Sequence, residues 1–527
     1  MEHRGNSHPF GGLGVLDLLD RPCAVRTTPR ESVVCVCNAT YCDEIRREIP
    51  TKDKVIIYTS SKSGFRFTKS YGKLQALDSL DSSRFLEIDP TTKYQTIEGF
   101  GGAVTDAASM NWKSVSDNLQ EKLINSYFSE DGLQYNMLRV PIGGSDFSTH
   151  AYAYNDLPED DAFLTNFTLA PEDIMYKVPM IKRIMAVSRT AVHIVATTWS
   201  PPPWMKTGRS FAGFSRLKQE YFQTYADYHL KFLQKYNESG IPIWGLTTTN
   251  EPINGVFNLT TFNSLGWTVT EMADWIVNNF GPTIRNSSFK DVKIMVGDDQ
   301  RLTIPYWFNE MVSYRPESLK YVDGVAVHYY TDMFVSPVKL EAVTKTHPEK
   351  FILATEACEG VNAGQKNFVL LGSWERARSY ILDILEDLNY NLVGWIDWNL
   401  CLDPRGGPNW ASNFADAAII VDKTNDEFIK QPMFYAMGHF SKFIPRGSRR
   451  IKVKEHKSIF ELSLSHVAFI TPRGTIVAVI YNDGRSQTIS ITIKNRQLKL
   501  KLEGDSVTTI EFQTDEVMTL QTKGIDK

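Results

Sequence analysis

Eight short apolar runs, spread over residues 97–398 and separated by longer amphipathic stretches, restrict the fold of this chain more than any other feature. They are Ile97–Val104, Met137–Ile142, Ile194–Trp199, Ile243–Thr249, Val292–Gly297, Val322–Tyr329, Phe351–Thr355 and Val393–Trp398. Each is too short for an ordinary helix and rich in β-formers. Between them, Asn118–Phe128, Leu217–Tyr236, Thr268–Phe280 and Ser373–Leu388 carry apolar residues at three- and four-residue spacing, the helical period. Such alternation covers a parallel sheet with helices. Eight units over about 300 residues predict a closed (β/α)8 barrel, whose usual size is about 250 residues plus insertions. A doubly wound open sheet is the alternative, but no G-x-G-x-x-G follows the first strand to support it.

The two ends differ in texture. Val33-Val34, Val55–Tyr58, Phe65–Phe67 and Phe85–Ile88 are β-like runs between polar turns, and strict alternation returns beyond Arg446. Ile476–Tyr481 and Thr488–Ile493 flank Asn482-Asp483-Gly484, which predicts a hairpin, and Leu498–Leu502 alternates leucine with lysine. Neither end holds enough strands to stand alone, so the two are expected to join as one accessory β-sandwich. The domain reading is a disulfide-bonded β segment over 21–45, the first part of the sandwich over 46–92, the barrel over 93–445 with an inserted loop region near 401–430, and the rest of the sandwich over 446–527.

Composition narrows the partners. A net charge of −4 suits neither a nucleic-acid binder nor a polybasic membrane anchor, and no apolar run reaches the roughly 20 residues of a membrane-spanning helix. Gly11–Leu19 is a weak apolar patch broken by Asp17, and no signal peptide is evident. The cysteines point to the secretory pathway all the same. Four of the six, Cys23, Cys35, Cys37 and Cys42, crowd the beginning, with a glycosylation acceptor at Asn38 inside the cluster and further acceptors at Asn166, Asn237, Asn258 and Asn286. Zinc is the other reading, but the paired Cys-x-x-Cys knuckles of most structural zinc modules are missing. Four cysteines allow three pairings, of which Cys23–Cys35 with Cys37–Cys42 is favoured, leaving Cys358 and Cys401 free and buried.

The chemistry is read from two strand ends. Trp244–Pro252 ends in Asn250-Glu251-Pro252, and Phe351–Glu356 ends in a second carboxylate. In a parallel barrel, functional groups sit at the carboxyl ends of strands, so Glu251 after the fourth strand and Glu356 after the seventh face each other across the mouth. Two facing carboxylates are what glycoside hydrolysis needs, one to protonate the leaving oxygen and one to attack the sugar; a gap of about 5 Å means retention and about 6.5–9.5 Å inversion. Read alone, Asp146 also fits a helix cap, Trp398 barrel core and His328 a structural imidazole.

Glu98-Gly99-Phe100-Gly101-Gly102-Ala103, Asp146-Phe147-Ser148, Thr249-Asn250-Glu251-Pro252, Asp298-Asp299-Gln300-Arg301, Ala326-Val327-His328-Tyr329-Tyr330, Thr355-Glu356-Ala357-Cys358, Gly394–Asn399 and Gly407-Pro408-Asn409-Trp410 occur in that order. From about Arg21 to near its end, the chain closely resembles the glucosylceramidases of glycoside hydrolase family 30. The resemblance implies a retaining enzyme that cleaves glucosylceramide to glucose and ceramide, with Glu356 as nucleophile and Glu251 as acid/base and with neither metal nor cofactor. It further implies that Asp146, Trp199, Asn250, Trp398 and Asn413 hold the glucose, and that His328 and Tyr330 neighbour the nucleophile as part of the substrate-binding set. Arg139, within the second strand, can orient Glu356 and stabilise its charge. The implied setting is the lysosomal lumen, at an anionic lipid membrane surface and with a saposin-type activator protein. Ser145 stands where the family usually has Cys, and Gly360–Val369 lacks the aromatic pair usual after the nucleophile. The other readings are the same chemistry on another glycolipid or a sterol glucoside, and a glycolipid-binding protein without activity; the presence of both carboxylates weighs against the last.

Overall fold

The structure is a computed structural model that describes residues 20–77, 84–361, 367–459, 461 and 463–513. The Gly11–Leu19 patch, residues 362–366 of the loop after the seventh strand and residues 514–527 of the sandwich reading lie outside the described residues. Among the described residues, no helix is long and apolar enough to cross a membrane.

Eight parallel strands close into a barrel. In chain order they are β1 (Gly99–Ala103), β2 (Met137–Ile142), β3 (His193–Thr198), β4 (Gly245–Thr247), β5 (Lys293–Gln300), β6 (Gly324–His328), β7 (Phe351–Glu356) and β8 (Gly394–Asp397). The ring shuts where β8 pairs with β1, Gly394 opposite Gly99 and Asp397 opposite Gly102. Glycine in β1 has a steric cause at Gly101, where a Cβ would stand 1.9 Å from the carbonyl oxygen of Met137 on β2.

The interior is layered by the two-residue period of a strand. Met137, Val195, Met295, Ala326, Leu353 and Ile396, from six strands, form one buried apolar cluster. Two residues further along five of these strands the next inward positions are Arg139, Thr197, His328, Thr355 and Trp398. The barrel is therefore filled with hydrocarbon below and with polar groups toward the carboxyl ends of its strands, where a (β/α)8 enzyme keeps its site.

Local elements depart from the sequence reading in places. The fourth strand is shorter than Ile243–Thr249, because beyond Thr247 the backbone turns to let the Asn250 N–H reach the Thr198 carbonyl, at 2.9 Å. The helix expected from Leu217 runs over Phe222–Glu238, since Leu217 is held in a bridge with Lys206. Thr268 caps the next helix through a capping box with Glu271, and the helix continues past Trp275 as a wider turn over Ile276–Phe280.

Both ends of the chain build one ten-stranded sheet that curls into the sandwich. Lys54–Ser61 pairs with Ser506–Phe512, and Phe85–Thr96 with Arg449–His456. Alternation again sets the layers: Val55 and Ile57 enter the sandwich core, while Ile56 and Tyr58 pack into the barrel's cluster. The expected hairpin does not form. Ile476–Asn482 has both edges taken, by Ser465–Ile470 and Ser506–Phe512, so the chain crosses at Asn482-Asp483-Gly484 and Gln487–Ile493 pairs instead with Arg496–Leu502 and Phe85–Glu87. Phe65–Phe67 is bent, irregular backbone, and the strand follows it at Thr68–Lys73.

A four-stranded sheet joins Val25–Arg26 and Val34–Asn38 to Glu427–Lys430 and Ile419–Asp422, so the region read as an inserted loop contains two strands. Ion pairs explain the docking: Arg26 to Glu427 at 2.6 Å, and buried Lys430 to Asp43 at 2.9 Å. Cys23–Cys35 and Cys37–Cys42 are bonded as favoured, and Cys358 and Cys401 are free and buried. The helix Pro432–Ser441 is buried along its whole length between barrel and sandwich, where His439 reaches Thr509 at 2.8 Å and Ser60 at 2.9 Å.

Candidate active site

Arg139 is the centre of the polar layer. It is fully buried, its guanidinium 4.9 Å from the ring centre of Trp199 and 5.3 Å from that of Trp398. A buried cation needs partners on every side. Nη1 donates to Glu356, while Nη2 donates to Asn250 Oδ1 at 2.9 Å and Asp298 Oδ2 at 2.8 Å. The last partner exists because β5 carries an irregularity between Gly297 and Asp299 where it pairs with β6, with Gly297 and Asp298 both at positive φ. That kink turns Asp298 inward, where it also accepts from Thr247 and Thr355 at 2.8 and 2.7 Å.

Glu356 ends β7 and is 6 % exposed. Its second oxygen accepts from the Tyr330 hydroxyl at 2.8 Å. Burial, and then the neighbouring Cys358 and Glu356, push the Tyr330 phenol well above its usual range, so it stays a donor. Cys358 is likewise driven up, first by burial, and remains a thiol rather than a nucleophile.

Glu251 lies beyond β4 in the left-handed region, at φ 41°, and Pro252 starts a short helix behind it. Left-handed backbone is costly for a residue with a Cβ and gathers at functional sites. The Glu251 N–H is fixed by the Asp298 carbonyl at 2.9 Å. Three donors surround its carboxyl group: His328 Nδ1 at 3.0 Å, Gln300 Nε2 at 2.8 Å and Asn254 Nδ2 at 2.6 Å.

His328 is fully buried and does not line the cavity; it bridges Glu251 to Asp298, with Nε2 at 3.1 Å from Asp298 Oδ1. Burial alone would lower its pKa, but the charges of Glu356 and Asp298 push it up to about 10, so both ring nitrogens donate. Asp298 moves the other way: burial would raise it, and Arg139 and His328 together hold it well below the carboxylate range.

A cavity of about 230 Å³ opens here, lined by Glu251 and Glu356 together with Asp146, Trp199, Asn250, Trp398 and Asn413. One oxygen of Glu251 and one of Glu356 lie within 4.8 Å of each other. Trp199 and Trp398 stack on one another, centroids 5.1 Å apart, and neither indole N–H has a partner among the described residues. Asn250 gives its carbonyl to Arg139, which turns its amide N–H₂ toward the cavity. Asp146 accepts from Asn413 at 2.9 Å and Asn409 at 3.2 Å. Burial first, and the charge of Glu356, push Asp146 up to about 7.

The seven residues expected at the mouth thus line one cavity with Tyr330, while His328 and Arg139 stand behind it. Asp298, Gln300 and Asn254 complete the site, and the sequence assigns none of them a role. The Asp298-Asp299-Gln300-Arg301 motif at the end of the fifth strand was the available signal for two of them; Asn254, three residues after Glu251 on a short helix, had none.

Residues 97–444 match the family model described as the glycosyl hydrolase family 30 TIM-barrel domain, and residues 447–510 the family's beta sandwich domain. The lysosomal acid glucosylceramidase of Mus musculus is 41% identical over 486 residues, 91% of this chain and 92% of that one. Among solved structures, SrfJ from Salmonella typhimurium superposes with a TM-score of 0.80 at 24% identity, covering 88% of this chain and 100% of that one. The endo-beta1,6-glucanase BT3312 superposes with a TM-score of 0.74 at 25% identity, covering 87% and 100%.

Proposed function

The chain belongs to glycosyl hydrolase family 30 and is a glycoside hydrolase, and from that premise we propose that it cleaves glucosylceramide to glucose and ceramide with retention of configuration. Glu356 attacks the anomeric carbon, the bond to the ceramide oxygen breaks, and Glu251 gives that oxygen its proton. The covalent glucosyl ester is then hydrolysed by a water that Glu251 deprotonates. One observation carries the mechanism: an oxygen of Glu251 lies within 4.8 Å of one of Glu356, an approach that suits the roughly 5–5.5 Å spacing of retaining enzymes better than the roughly 6.5–9.5 Å of inverting ones.

Asn250 is positioned to donate to the sugar 2-OH, a bond that strengthens as positive charge develops on the ring. Trp199 and Trp398 offer edges and free N–H groups, and Asp146 and Asn413 take the outer hydroxyls.

Glucosylceramide as substrate is supported by the 41% identity to the mouse glucosylceramidase and by the size of the cavity. At about 230 Å³ it is below the ~300–1,000 Å³ of usual ligand pockets, room for one sugar ring rather than a glucan chain. Exposed apolar side chains stand on loops at the same end of the barrel: Phe257 and Leu259 after β4, Leu302 after β5, Met333 and Phe334 after β6. They suit a two-tailed lipid presented by an anionic membrane surface, with a saposin-type activator as helper. A lysosomal lumen reached through the secretory pathway is supported by the two disulfides and by the exposure of all five glycosylation acceptors.

The test compares wild type with Glu251→Gln and Glu356→Gln at acidic pH, on a fluorogenic β-glucoside and on glucosylceramide in anionic vesicles. Glu356→Gln should lose roughly 10⁴-fold or more in kcat on both, and Glu251→Gln about 10²–10⁴-fold on the lipid. Undiminished turnover by Glu356→Gln would sink the mechanism. Hydrolysis of a β1,6-glucan in place of the lipid would sink the substrate.

A further inference from the structure

Beside the active site, and outside it, a second buried cation gathers more acid than it can neutralise. Arg301 follows Gln300, which holds Glu251, and its side chain is fully buried. Nη2 pairs with Asp332 at 2.7 Å and Asp387 at 2.8 Å and lies 3.6 Å from Asp383; Nη1 pairs with Glu386 at 2.5 Å and donates to the Val335 carbonyl at 3.1 Å. Four carboxylates thus face one guanidinium, and Asp332, Asp383 and Asp387 each bring an oxygen within 4.8 Å of the others. The cluster spans three elements. Arg301 belongs to the loop after β5, Asp332 to the loop after β6, and Asp383, Glu386 and Asp387 to the helix Trp374–Asn389.

Three like charges cannot be buried at that distance with one partner; one of them must take a proton. Two contacts locate it. Asp383 already accepts from the Trp395 indole N–H at 2.9 Å, as a carboxylate would. Asp332 Oδ1 is buried with no N–H or hydroxyl donor facing it, and an Asp383 oxygen lies within 4.8 Å of the Asp332 carboxyl, whereas Asp387 Oδ1 accepts from Arg301 Nη2 at 2.8 Å. Tyr329, bonded to Glu359, is the remaining titratable group facing Asp383, and it is held as a neutral phenol, first by burial. An ion in place of the proton is excluded by the guanidinium, which occupies the point where the three acids converge.

We propose that Asp332 and Asp383 share a proton, and that this proton latches the loop after β6 onto the helix Trp374–Asn389. The consequence reaches the site along a short path. Asp332 stands two residues after Tyr330, whose hydroxyl orients Glu356, and directly before the exposed Met333 and Phe334. Arg301 stands next to Gln300, which orients Glu251. Asp332 is a positioning residue in this scheme, acting through Tyr330, and the inference rests on the role proposed above for Glu356. Burial first, then the charges of Asp383 and Asp387, raise Asp332 above the usual carboxylate range. A group raised to about 10 contributes stability that is complete below the unfolded carboxylate pKa and declines as pH rises toward the folded value. The latch therefore stays closed through neutrality and opens only as pH nears 10, while the stability it lends is already smaller at pH 8 than at pH 5.

Asp332→Asn separates the proton from the hydrogen bond, because its amide donates to Asp383 at any pH. We expect this variant to keep kcat/KM on a soluble aryl β-glucoside at pH 5 within about threefold of wild type. It should also reduce the fall in Tm between pH 5 and pH 8 by at least about 2 °C, because its side chain no longer takes part in the proton linkage. Asp332→Ala should lose kcat and Tm at pH 5. The latch is overturned if Asp332→Asn is as damaged at pH 5 as Asp332→Ala, or if its Tm falls between pH 5 and pH 8 as far as that of wild type. An inactive wild type would instead overturn the proposed function, and the Tm comparison would still decide the latch.

Discussion

At the scale of the residue, the same buried charges that make the site expensive also make it specific. Arg139 lies beside a pair of stacked indoles and still satisfies Glu356, Asn250 and Asp298. Removing one member of such a set leaves the others buried and unpaired, a cost of about 3–5 kcal/mol. Asp146 is the most informative single side chain, because with its carboxyl pushed up to about 7 it is neutral under acidic conditions and can both donate to and accept from a sugar hydroxyl. Asp146→Asn should therefore keep KM for a neutral β-glucoside within a few-fold of wild type near pH 5, whereas Asp146→Ala should raise it about tenfold or more, the loss of a hydrogen bond or two. Equal damage by both substitutions at pH 5 would mean that the charged form binds. Glu251 and Glu356 were legible in the sequence because a strand end fixes where a side chain emerges. The role of His328 was not. Its place behind Glu251 depends on a shift in pairing between β6 and β7 at Val327 and His328, and no period in the sequence reports a shifted register.

At the scale of the element, alternation and period predicted most of what formed. Eight strands, the capped helix after Thr268 and the leucine face of Leu498–Leu502 follow from side chains pointing where a two- or 3.6-residue period sends them. What failed was pairing. Asn482-Asp483-Gly484 looks like a hairpin turn locally, but both edges of Ile476–Asn482 are claimed by strands before and after it in the chain. The helix Pro432–Ser441 gives a testable consequence of its burial. His439 is held neutral there, burial pushing its pKa down to about 3. Its unfolded counterpart takes up a proton near pH 6.5 and the folded one does not, so His439 removes stability as pH falls through 6.5, about 2 kcal/mol by pH 5. His439→Gln, which can still meet Ser60 and Thr509, should narrow the difference in unfolding free energy between pH 7.5 and pH 5 by about that amount in denaturant melts. An unchanged difference would mean that His439 is protonated in the fold. This effect runs opposite in sign to the latch at Asp332, so the two variants should move the pH dependence of stability in opposite directions.

At the scale of the whole molecule, the barrel, the sandwich and the small disulfide-bonded sheet are joined by buried packing, not strung on linkers. Ile56 and Tyr58 of the sandwich pack in the same cluster as the barrel helices, and the N-terminal strand Val34–Asn38 pairs with Glu427–Lys430 nearly four hundred residues later. That arrangement leaves one end of the barrel free, and at that end two carboxylates from strands on opposite sides of the ring come within 4.8 Å. The separation is the central claim, because it decides what reaches the anomeric carbon first, Glu356 or a water. Proton NMR of the first turnovers on an aryl β-glucoside reads the outcome directly. The account predicts β-glucose as the first product, with the α anomer appearing only as mutarotation proceeds; α-glucose formed first would contradict it.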